Sequence, residues 1–253
     1  MAATRNFEAG GYRYIPAVFQ YSSGVAALPS YEIQRVTLSK PVPMKQGFRL
    51  IEKFIADAGR PVTAFCACEL RSPVPFTPDG FKDFNKLYVE TLKAWGIYGG
   101  GSDDNPVARS NVCPQVEPPA EPSLHAFSFT VKSDSTQPTC VISGSAEART
   151  VDLPYEQKMV RFGETSTDAM REKAQYVVGE MGNRLTTLGF TWADVSATQL
   201  YTIYDFHSFF ADELVKRGAG RNGLTWHFNR PPVNVLTFEM DCRSVALEHF
   251  KII

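Results

Sequence analysis

Apolar residues recur at helical spacing in two long segments of the chain, and a glycine ends each segment. In the segment at 47–59 the apolar positions are Phe48, Ile51, Ile55 and Ala58. In the segment at 166–189 they are Met170, Ala174, Val177, Met181, Leu185 and Leu188. A spacing of three to four residues predicts an amphipathic helix with one buried face, and a glycine is a typical helix stop.

The elements that follow these two helices occur in the same order in both halves of the chain. A strand-like run comes next, at 64–70 and at 197–204, and a second helix follows it. The apolar stripe of the second helix is Phe81, Phe84, Tyr88 and Trp95 in the first half and Phe206, Phe210 and Leu214 in the second. An arginine, an extended run, a proline turn and a closing strand complete each half, at 124–131 and 235–242. The repeat predicts an α+β protein built from two copies of one unit.

A Ser-Gly pair lies in an extended run early in each half, and we interpret both pairs as parts of equivalent opening strands. The pairs are Ser23-Gly24 and Ser143-Gly144. Because glycine has no Cβ, the backbone at these positions can approach a ligand closely, and we expect both pairs to contact the substrate. The alternative is that each glycine only forms a β-bulge. The polar stretch at 132–138, which contains Ser, Thr and Pro, is typical of an inter-domain link.

Composition and charge exclude several classes of function. Lys and Arg number 26 and Asp and Glu 27, so the net charge of -1 offers no basic stripe for a nucleic acid. The sequence has no apolar run of membrane-spanning length and no secretory signal pattern, and we expect a cytoplasmic protein that binds no membrane. The cysteines and histidines lack metal-ligand spacing, so we expect neither a metal nor another cofactor.

Four short motifs occur in a fixed order along the chain. In chain order they are the helix segment from Phe81 to Tyr88, which contains Asn85, then Ala108-Arg109-Ser110-Asn111-Val112, then Ile142-Ser143-Gly144, and last the segment from Arg230-Pro231-Pro232 to Glu239-Met240-Asp241. Together they resemble the Rid/YjgF-type family, the small reactive-intermediate deaminases. The resemblance covers residues 12–131 and 139–250, which we predict to be an N-terminal and a C-terminal Rid-like domain.

The resemblance implies two tandem chorismate-mutase-like domains, each a mixed β-sheet packed on two helices. It also implies a barrel-like homotrimer, which would be a pseudo-hexamer of domains with ligand clefts between neighbours. An amphipathic sheet with helices on one face leaves its other face in need of a partner, which agrees with such an assembly.

The two halves depart from the family pattern at different positions. The first half keeps Asn85 and Arg109, but its closing strand lacks the acidic residue of the family. The second half keeps Glu239, has Phe210 at the position of Asn85 and has Arg221 at the position of Arg109. We therefore expect one working kind of cleft, which draws its arginine from one domain and its acid from another.

Residue chemistry suggests a role for each of these positions. The planar guanidinium of Arg109 matches the geometry of a carboxylate, so we expect Arg109 to bind a carboxylate of the substrate. The alternative is that Arg109 forms a structural ion pair. Arg221 is the candidate for holding a second carboxylate, and Arg230 is the alternative anchor. Glu239 shares a strand face with Asp241, where it would shuttle a proton unless that face is solvated. The other expected substrate contacts are Asn85, Ser23, Gly24, Ser143 and Gly144.

Among tandem relatives, the full-length pattern resembles most the 2-aminomuconate deaminase group of aromatic-compound degradation. The resemblance implies cofactor-independent hydrolysis of an enamine or imine carboxylate, with 2-aminomuconate or a chlorinated analogue as the dicarboxylate substrate and ammonia as a product. A carboxylate clamp, a placed water and a proton shuttle suffice for that reaction. Two alternatives stay open: a chorismatase-like hydrolase, and a non-catalytic Rid-like protein that binds a small ligand.

Overall fold

The computed structural model describes residues 3–100, 104–149, 151 and 153–253. The strands are β1 Arg5–Phe7, β2 Tyr12–Ile15, β3 Gly24–Ala27, β4 Tyr31–Pro43, β5 Phe65–Arg71, β6 Ala108–Pro114, β7 Ser123–Lys132, β8 Cys140–Ala146, β9 Ala197–Tyr201, β10 Thr225–His227, β11 Asn229–Arg230, β12 Glu239–Ser244 and β13 Leu247–Lys251. The α-helices are α1 Met44–Asp57, α2 Pro78–Ala94, α3 Tyr155–Lys158, α4 Thr167–Thr187 and α5 His207–Phe210. Within the described residues, no helix has the length and apolar content that a membrane span needs.

The strands form two mixed sheets. The first sheet has the order β11-β6-β5-β7-β4-β13, and the second has the order β1-β2-β3-β8-β12-β9-β10. Each sheet contains a parallel pair, β5 with β6 and β9 with β10, beside antiparallel neighbours. The predicted α+β class is therefore confirmed.

The predicted long helices form where the apolar spacing places them. Phe48, Ile51 and Ile55 of α1 are buried in the core of the first sheet, whereas Ala58 lies after the helix end and is exposed. Gly59 takes the left-handed conformation (φ +70°) after the helix ends. At the start of α4, the Ser166 hydroxyl accepts a hydrogen bond from the Ala169 amide at 3.3 Å. The apolar stripe of α4 is buried in the core of the second sheet. Each sheet thus has one face covered by a long helix and an opposite face that must find another partner.

The second helix of the second half is shorter than the sequence predicts. α5 has only four residues, and it continues as a π-helical turn at Ala211–Val215. This turn carries the buried Glu213, which accepts hydrogen bonds from Arg171 Nε at 2.7 Å and Gln175 Nε2 at 2.9 Å on α4. A buried carboxylate with partners on α4 therefore holds this segment in place in addition to apolar packing.

The two sheets do not follow the two halves of the sequence. The strands β1, β2 and β3 come from the first half but extend the second sheet from β8. Conversely, β11 and β13 come from the second half and pair with β6 and β4 in the first sheet. Each half therefore completes the sheet of the other half.

The two Ser-Gly pairs are neighbours in one sheet and not counterparts. Gly24 pairs with Ile142 across the ladder between β3 and β8. The counterpart of β8 is β4, because each pairs with the closing strand of its half and precedes the first long helix of that half. The interpretation of the pairs as equivalent opening strands is wrong, since a two-residue motif does not specify which distant strand it will join.

The faces of the sheets that lack helices meet in largely buried polar side chains, here called the polar layer. Its members are Arg35, Glu69, Arg71, Ser110, Gln199, Tyr201, Asp241 and Arg243. Between the sheets, Ser110 Oγ donates to Asp241 Oδ2 at 2.6 Å, and Gln199 Nε2 donates to Glu69 Oε2 at 3.2 Å. Because buried polar groups need partners, these bonds specify how the sheets are set against each other.

An ion pair lies inside the polar layer. Arg35 Nε contacts Glu69 Oε1 at 2.7 Å, with side-chain exposures of only 5% and 12%. Burial acts to raise the pKa of Glu69, but the charge and hydrogen bond of Arg35 outweigh it and hold that pKa well below its usual range. Glu69 is therefore ionised, and its negative charge compensates the surrounding guanidinium groups.

Glu69→Gln should lower the free energy of unfolding by about 3 kcal/mol, because the buried Arg35 guanidinium then keeps only the more exposed Glu248 as a carboxylate partner. Urea unfolding measures the loss. Asp57→Asn is the matched control, since the pair of Lys53 with Asp57 is exposed (76% and 64%) and its removal should change stability little. Equal losses in the two variants would contradict this account of the polar layer.

Candidate active site

Arg109 on β6 is a buried cation without an ion-pair partner among the residues that the structure describes. Arg109 is only 3% exposed, and neither terminal nitrogen of its guanidinium has a hydrogen-bond partner among the described residues. Four aromatic rings surround the guanidinium carbon, with centroids at 4.6 Å (Tyr88), 5.3 Å (Tyr21), 5.6 Å (Phe81) and 5.9 Å (Phe84). Cation–π contacts offset part of the desolvation cost, but the free N–H groups call for an anion.

Asn85 faces the same space from α2. It lies four residues after Phe81 and three before Tyr88, so these side chains share one face of the helix. Asn85 is fully buried, and neither atom of its amide group has a hydrogen-bond partner within the described ranges. The structure therefore brings Asn85 and Arg109, both predicted from the sequence, to the same cleft with unused donors and acceptors.

Glu239 begins β12 and lies on the strand face that the alternation predicts. Phe238, Met240 and Cys242 are buried in the core under α4, whereas Glu239 and Asp241 take the opposite side. That side is buried as well, with Glu239 and Asp241 each 4% exposed. The solvated sheet face that the sequence left open as an alternative is therefore wrong, because the first sheet covers it.

The surroundings of Glu239 favour its neutral form. Burial raises the pKa of Glu239 well above 4.5, and the negative charges of Asp241 and Glu147 raise it further. The positive charges of Arg109 and Arg184 act in the opposite direction without cancelling the rise. The charge of Arg109, from the first half, therefore acts on the pKa of Glu239, from the second half, within one chain.

Ser143 ties the strands of the site together. Its hydroxyl donates to the Ser22 carbonyl at 2.6 Å and accepts from the Arg109 amide at 3.1 Å. Its own amide donates to the Ser23 carbonyl at 3.2 Å. These hydrogen bonds of Ser143 and Ser23 position Arg109 on β6 against β3 and β8. The two serines therefore hold the backbone of the site.

Gly144 makes room for the Glu239 carboxyl group. A Cβ at position 144 would overlap Glu239 Oε1 and would lie 3.3 Å from Ser110 Oγ. The register between β8 and β12 also shifts here, between Met240 and Cys242, which is the β-bulge considered as the alternative. Glycine at 144 is therefore required by a side chain of the protein itself, which it admits into the cleft.

Gly24 lies away from the cleft. A Cβ at this position would meet Ile142 Cδ1 at 3.1 Å and Leu188 Cδ1 at 3.3 Å, both in the apolar core beneath α4. Gly24 thus permits close packing of β3 on that core, and the structure gives no reason to place it against a ligand.

Arg221 lies on no strand of the site, whereas Arg230 lies beside the Arg109 strand, opposite Cys113. Arg221 is exposed in a turn that precedes β10, the strand that pairs with β9 as β6 pairs with β5. It therefore lies outside the strand that corresponds to the Arg109 strand. Arg230 lies on β11, where its Nε donates to Gln115 Oε1 at 3.2 Å.

Two tyrosines join the site although no sequence signal singled them out. Tyr21 lies among Arg109, Arg184 and Glu239; burial raises its pKa, the two arginines lower it, and Glu239 raises it. Tyr155 on α3 has a pKa raised to about 12, by burial first and then by the charges of neighbours that include Tyr21 and Glu239. Both phenols therefore stay neutral at ordinary pH and are available as hydrogen-bond donors.

Glu147 holds the segment that leads into Glu239. Its carboxylate accepts hydrogen bonds from the Thr237 amide at 2.7 Å, the Thr237 hydroxyl at 2.6 Å and the Phe238 amide at 3.1 Å. Lys173 Nζ lies 3.5 Å from Glu147, and both side chains are fully buried. Sequence reasoning missed this pair because Glu147 and Lys173 meet only after α4 packs on the second sheet.

The chain is similar to a described family and to known proteins. The family described as 2-aminomuconate deaminase CnbZ matches residues 4–249. The 2-amino-5-chloromuconate deaminase of Comamonas testosteroni is 49% identical over 244 residues, which cover 96% of each chain. Among solved structures, a chorismatase is similar over 88% of this chain and 77% of its own, with a TM-score of 0.49 and 11% identity. The RidA of the Antarctic bacterium Psychrobacter sp. is similar over 46% of this chain and 87% of its own, with a TM-score of 0.32 and 16% identity.

Gly144→Ala should cost about 1–3 kcal/mol of unfolding free energy, because the new methyl group displaces the Glu239 carboxyl group. In a Glu239→Ala background the same substitution should cost almost nothing, since the overlapping side chain is gone. Gly179→Ala, on α4 with nothing within 4 Å of the added Cβ, is the control that should not destabilise. An undiminished cost in the Glu239→Ala background would show that another clash is responsible.

The raised pKa of Glu239 also predicts a change of stability with pH. The unfolded chain releases the Glu239 proton near pH 4.5, whereas the folded protein keeps it to higher pH, so stability falls as the pH rises through that window. Glu239→Gln cannot ionise and should therefore gain stability relative to the parent between about pH 4 and pH 8. Urea unfolding across this range measures the difference, with the exposed Glu121→Gln as the control. A constant difference at every pH would refute the assigned direction.

Proposed function

The chain belongs to the 2-aminomuconate deaminase family, and on that basis we propose that Arg109 and Glu239 form its active site and that 2-aminomuconate or a chlorinated 2-aminomuconate is its substrate. The reaction is a hydrolytic deamination that releases ammonia. The observation that carries the proposal is the buried Arg109 guanidinium, with unused donors, beside a Glu239 that holds its proton.

Arg109 supplies the carboxylate clamp. A guanidinium with two free terminal nitrogens can bind both oxygens of one carboxylate, and burial strengthens such a charge-assisted contact. The rings of Tyr21, Tyr88, Phe81 and Phe84 around it offer flat apolar surfaces for the conjugated carbon chain of a muconate. The site therefore suits a planar, unsaturated acid.

Glu239 supplies the proton transfers. The neutral carboxyl group gives its proton to the enamine carbon, which produces an iminium ion and a Glu239 carboxylate. A water oxygen then bonds to the iminium carbon, and Glu239 takes one proton from that water. Glu239 returns this proton to the nitrogen, the C–N bond breaks, and ammonia leaves. The hydroxyl proton passes to Glu239 as the C=O bond forms, so the enzyme ends in its starting state.

The division of the site between the halves supports one working kind of cleft. Arg109 and Asn85 come from the first half and Glu239 from the second, and Ala126 and Phe127 in the first closing strand offer no acid. The homotrimer and the boundaries at 12–131 and 139–250 remain predictions from the resemblance, and the cytoplasmic location remains a prediction from the sequence pattern.

Arg109→Met should raise the KM for 2-aminomuconate by at least about 10-fold, because a charge-assisted contact to the carboxylate is lost. Glu239→Gln should lower kcat by about 100-fold or more and leave KM within a few-fold, because it removes proton transfer while binding persists. Ammonia release in an enzyme-coupled assay measures both.

Arg221→Met is the matched control, since the structure places Arg221 on an exposed turn, and its kinetics should equal those of the parent. Parent-like kcat and KM in both site variants would refute the assignment of Arg109 and Glu239. A parent that binds 2-aminomuconate without releasing ammonia would instead identify a non-catalytic binding protein.

A further inference from the structure

A second arginine reaches the cleft from α4. Arg184 NH1 donates to the carbonyl oxygen of Ser143 at 3.1 Å. The hydroxyl of the same Ser143 accepts from the Arg109 amide at 3.1 Å. Two arginines from different halves are therefore attached to one residue, directly beside the Gly144 backbone against which the Glu239 carboxyl group lies.

The charge of Arg184 has no carboxylate partner in the described part of the chain. Other guanidinium groups of the interior do: Arg35 pairs with Glu69 at 2.7 Å, and Arg243 pairs with Glu248 at 2.6 Å. Burial lowers the pKa of Arg184, which is the effect of a cation that lacks compensation. Its charge acts on both Tyr21 and Glu239, and the Tyr21 ring centroid lies 5.3 Å from the guanidinium carbon of Arg109.

The net charge of the side chains at this cleft indicates the charge of the ligand that it binds best. Within the described ranges, buried Arg109 and partly buried Arg184 are two cations without ion-pair partners, while the environment favours the neutral form of Glu239. A dianion would neutralise both cations, whereas a monoanion would leave one of them uncompensated. The single hydrogen bond from Arg184 to Ser143 also leaves its remaining donors for a ligand.

We propose that Arg184 binds the second carboxylate of the substrate while Arg109 binds the first, so that the pair selects dicarboxylates over monocarboxylates. The assignment rests on the proposed function for the identity of the site. It replaces Arg221 and Arg230 as candidates for the second anchor. Arg184 is then a residue that determines specificity and takes no part in proton transfer.

Two unreactive ligands test the assignment without turnover. Muconate (hexa-2,4-dienedioate) and sorbate (hexa-2,4-dienoate) share the conjugated chain, lack the amine and differ in the second carboxylate. Calorimetric titration of the parent should give a Kd for muconate about 10- to 100-fold below that for sorbate. Arg184→Gln, which keeps a donor for the Ser143 carbonyl but loses the charge, should bind both with nearly the sorbate Kd.

Two further variants complete the experiment. Arg109→Met should weaken both ligands, and Arg221→Met should retain the discrimination of the parent. Arg184→Lys, which keeps the charge, should retain part of the discrimination. Arg184→Met, which also removes the charge, replaces the glutamine variant if thermal unfolding shows that the latter does not fold.

The outcomes separate this assignment from the proposed function. Undiminished preference for muconate in Arg184→Gln, or no preference in the parent, would overturn the role of Arg184. Loss of the preference in Arg184→Gln together with no ammonia release by the parent from 2-aminomuconate would support the dicarboxylate site and reject the deaminase chemistry.

Discussion

The burial of two sheet faces against each other is the constraint on which the site depends. Long helices cover one face of each sheet, and the remaining faces exclude water together only if their polar groups pair, as Ser110 does with Asp241. The packing of the sheets also brings β6 close to β8, where the Arg109 amide donates a hydrogen bond to the Ser143 hydroxyl. An arginine of the first half and a glutamate of the second are therefore both buried within one chain, where the charge of the first acts on the second.

Local patterns predicted the elements and the direction of side chains well. The helical stripe over 166–189 and the alternation along 235–242 depend on neighbours a few residues apart, so they placed α4 and the face of Glu239 correctly. The pairing of strands depends on distant residues, and there the motif Ser23-Gly24 was misleading. Whether Glu239 faced water or protein also depended on the opposite sheet, which no local pattern describes.

The residues that sequence reasoning missed share a physical cause. Arg184 directly precedes Leu185 of the apolar stripe of α4, so the sequence pattern gives it as an ordinary polar residue at the edge of an apolar face. Its importance comes from the Ser143 carbonyl, 41 positions away in sequence. Arg221 was chosen because it follows the second helix as Arg109 does, but the strand begins only at Thr225, beyond it.

The last strand of the chain, β13, lies beside β4, with Leu247 opposite Gln34. During synthesis, the edge of β4 therefore has no neighbour until residues 247–251 have been made. Contacts of such separation slow folding because a long loop must close before they are made, and an open edge can meanwhile pair with another chain. The interlocking of the two sheets thus leaves a strand edge of the nascent chain open to aggregation until β13 has been synthesised.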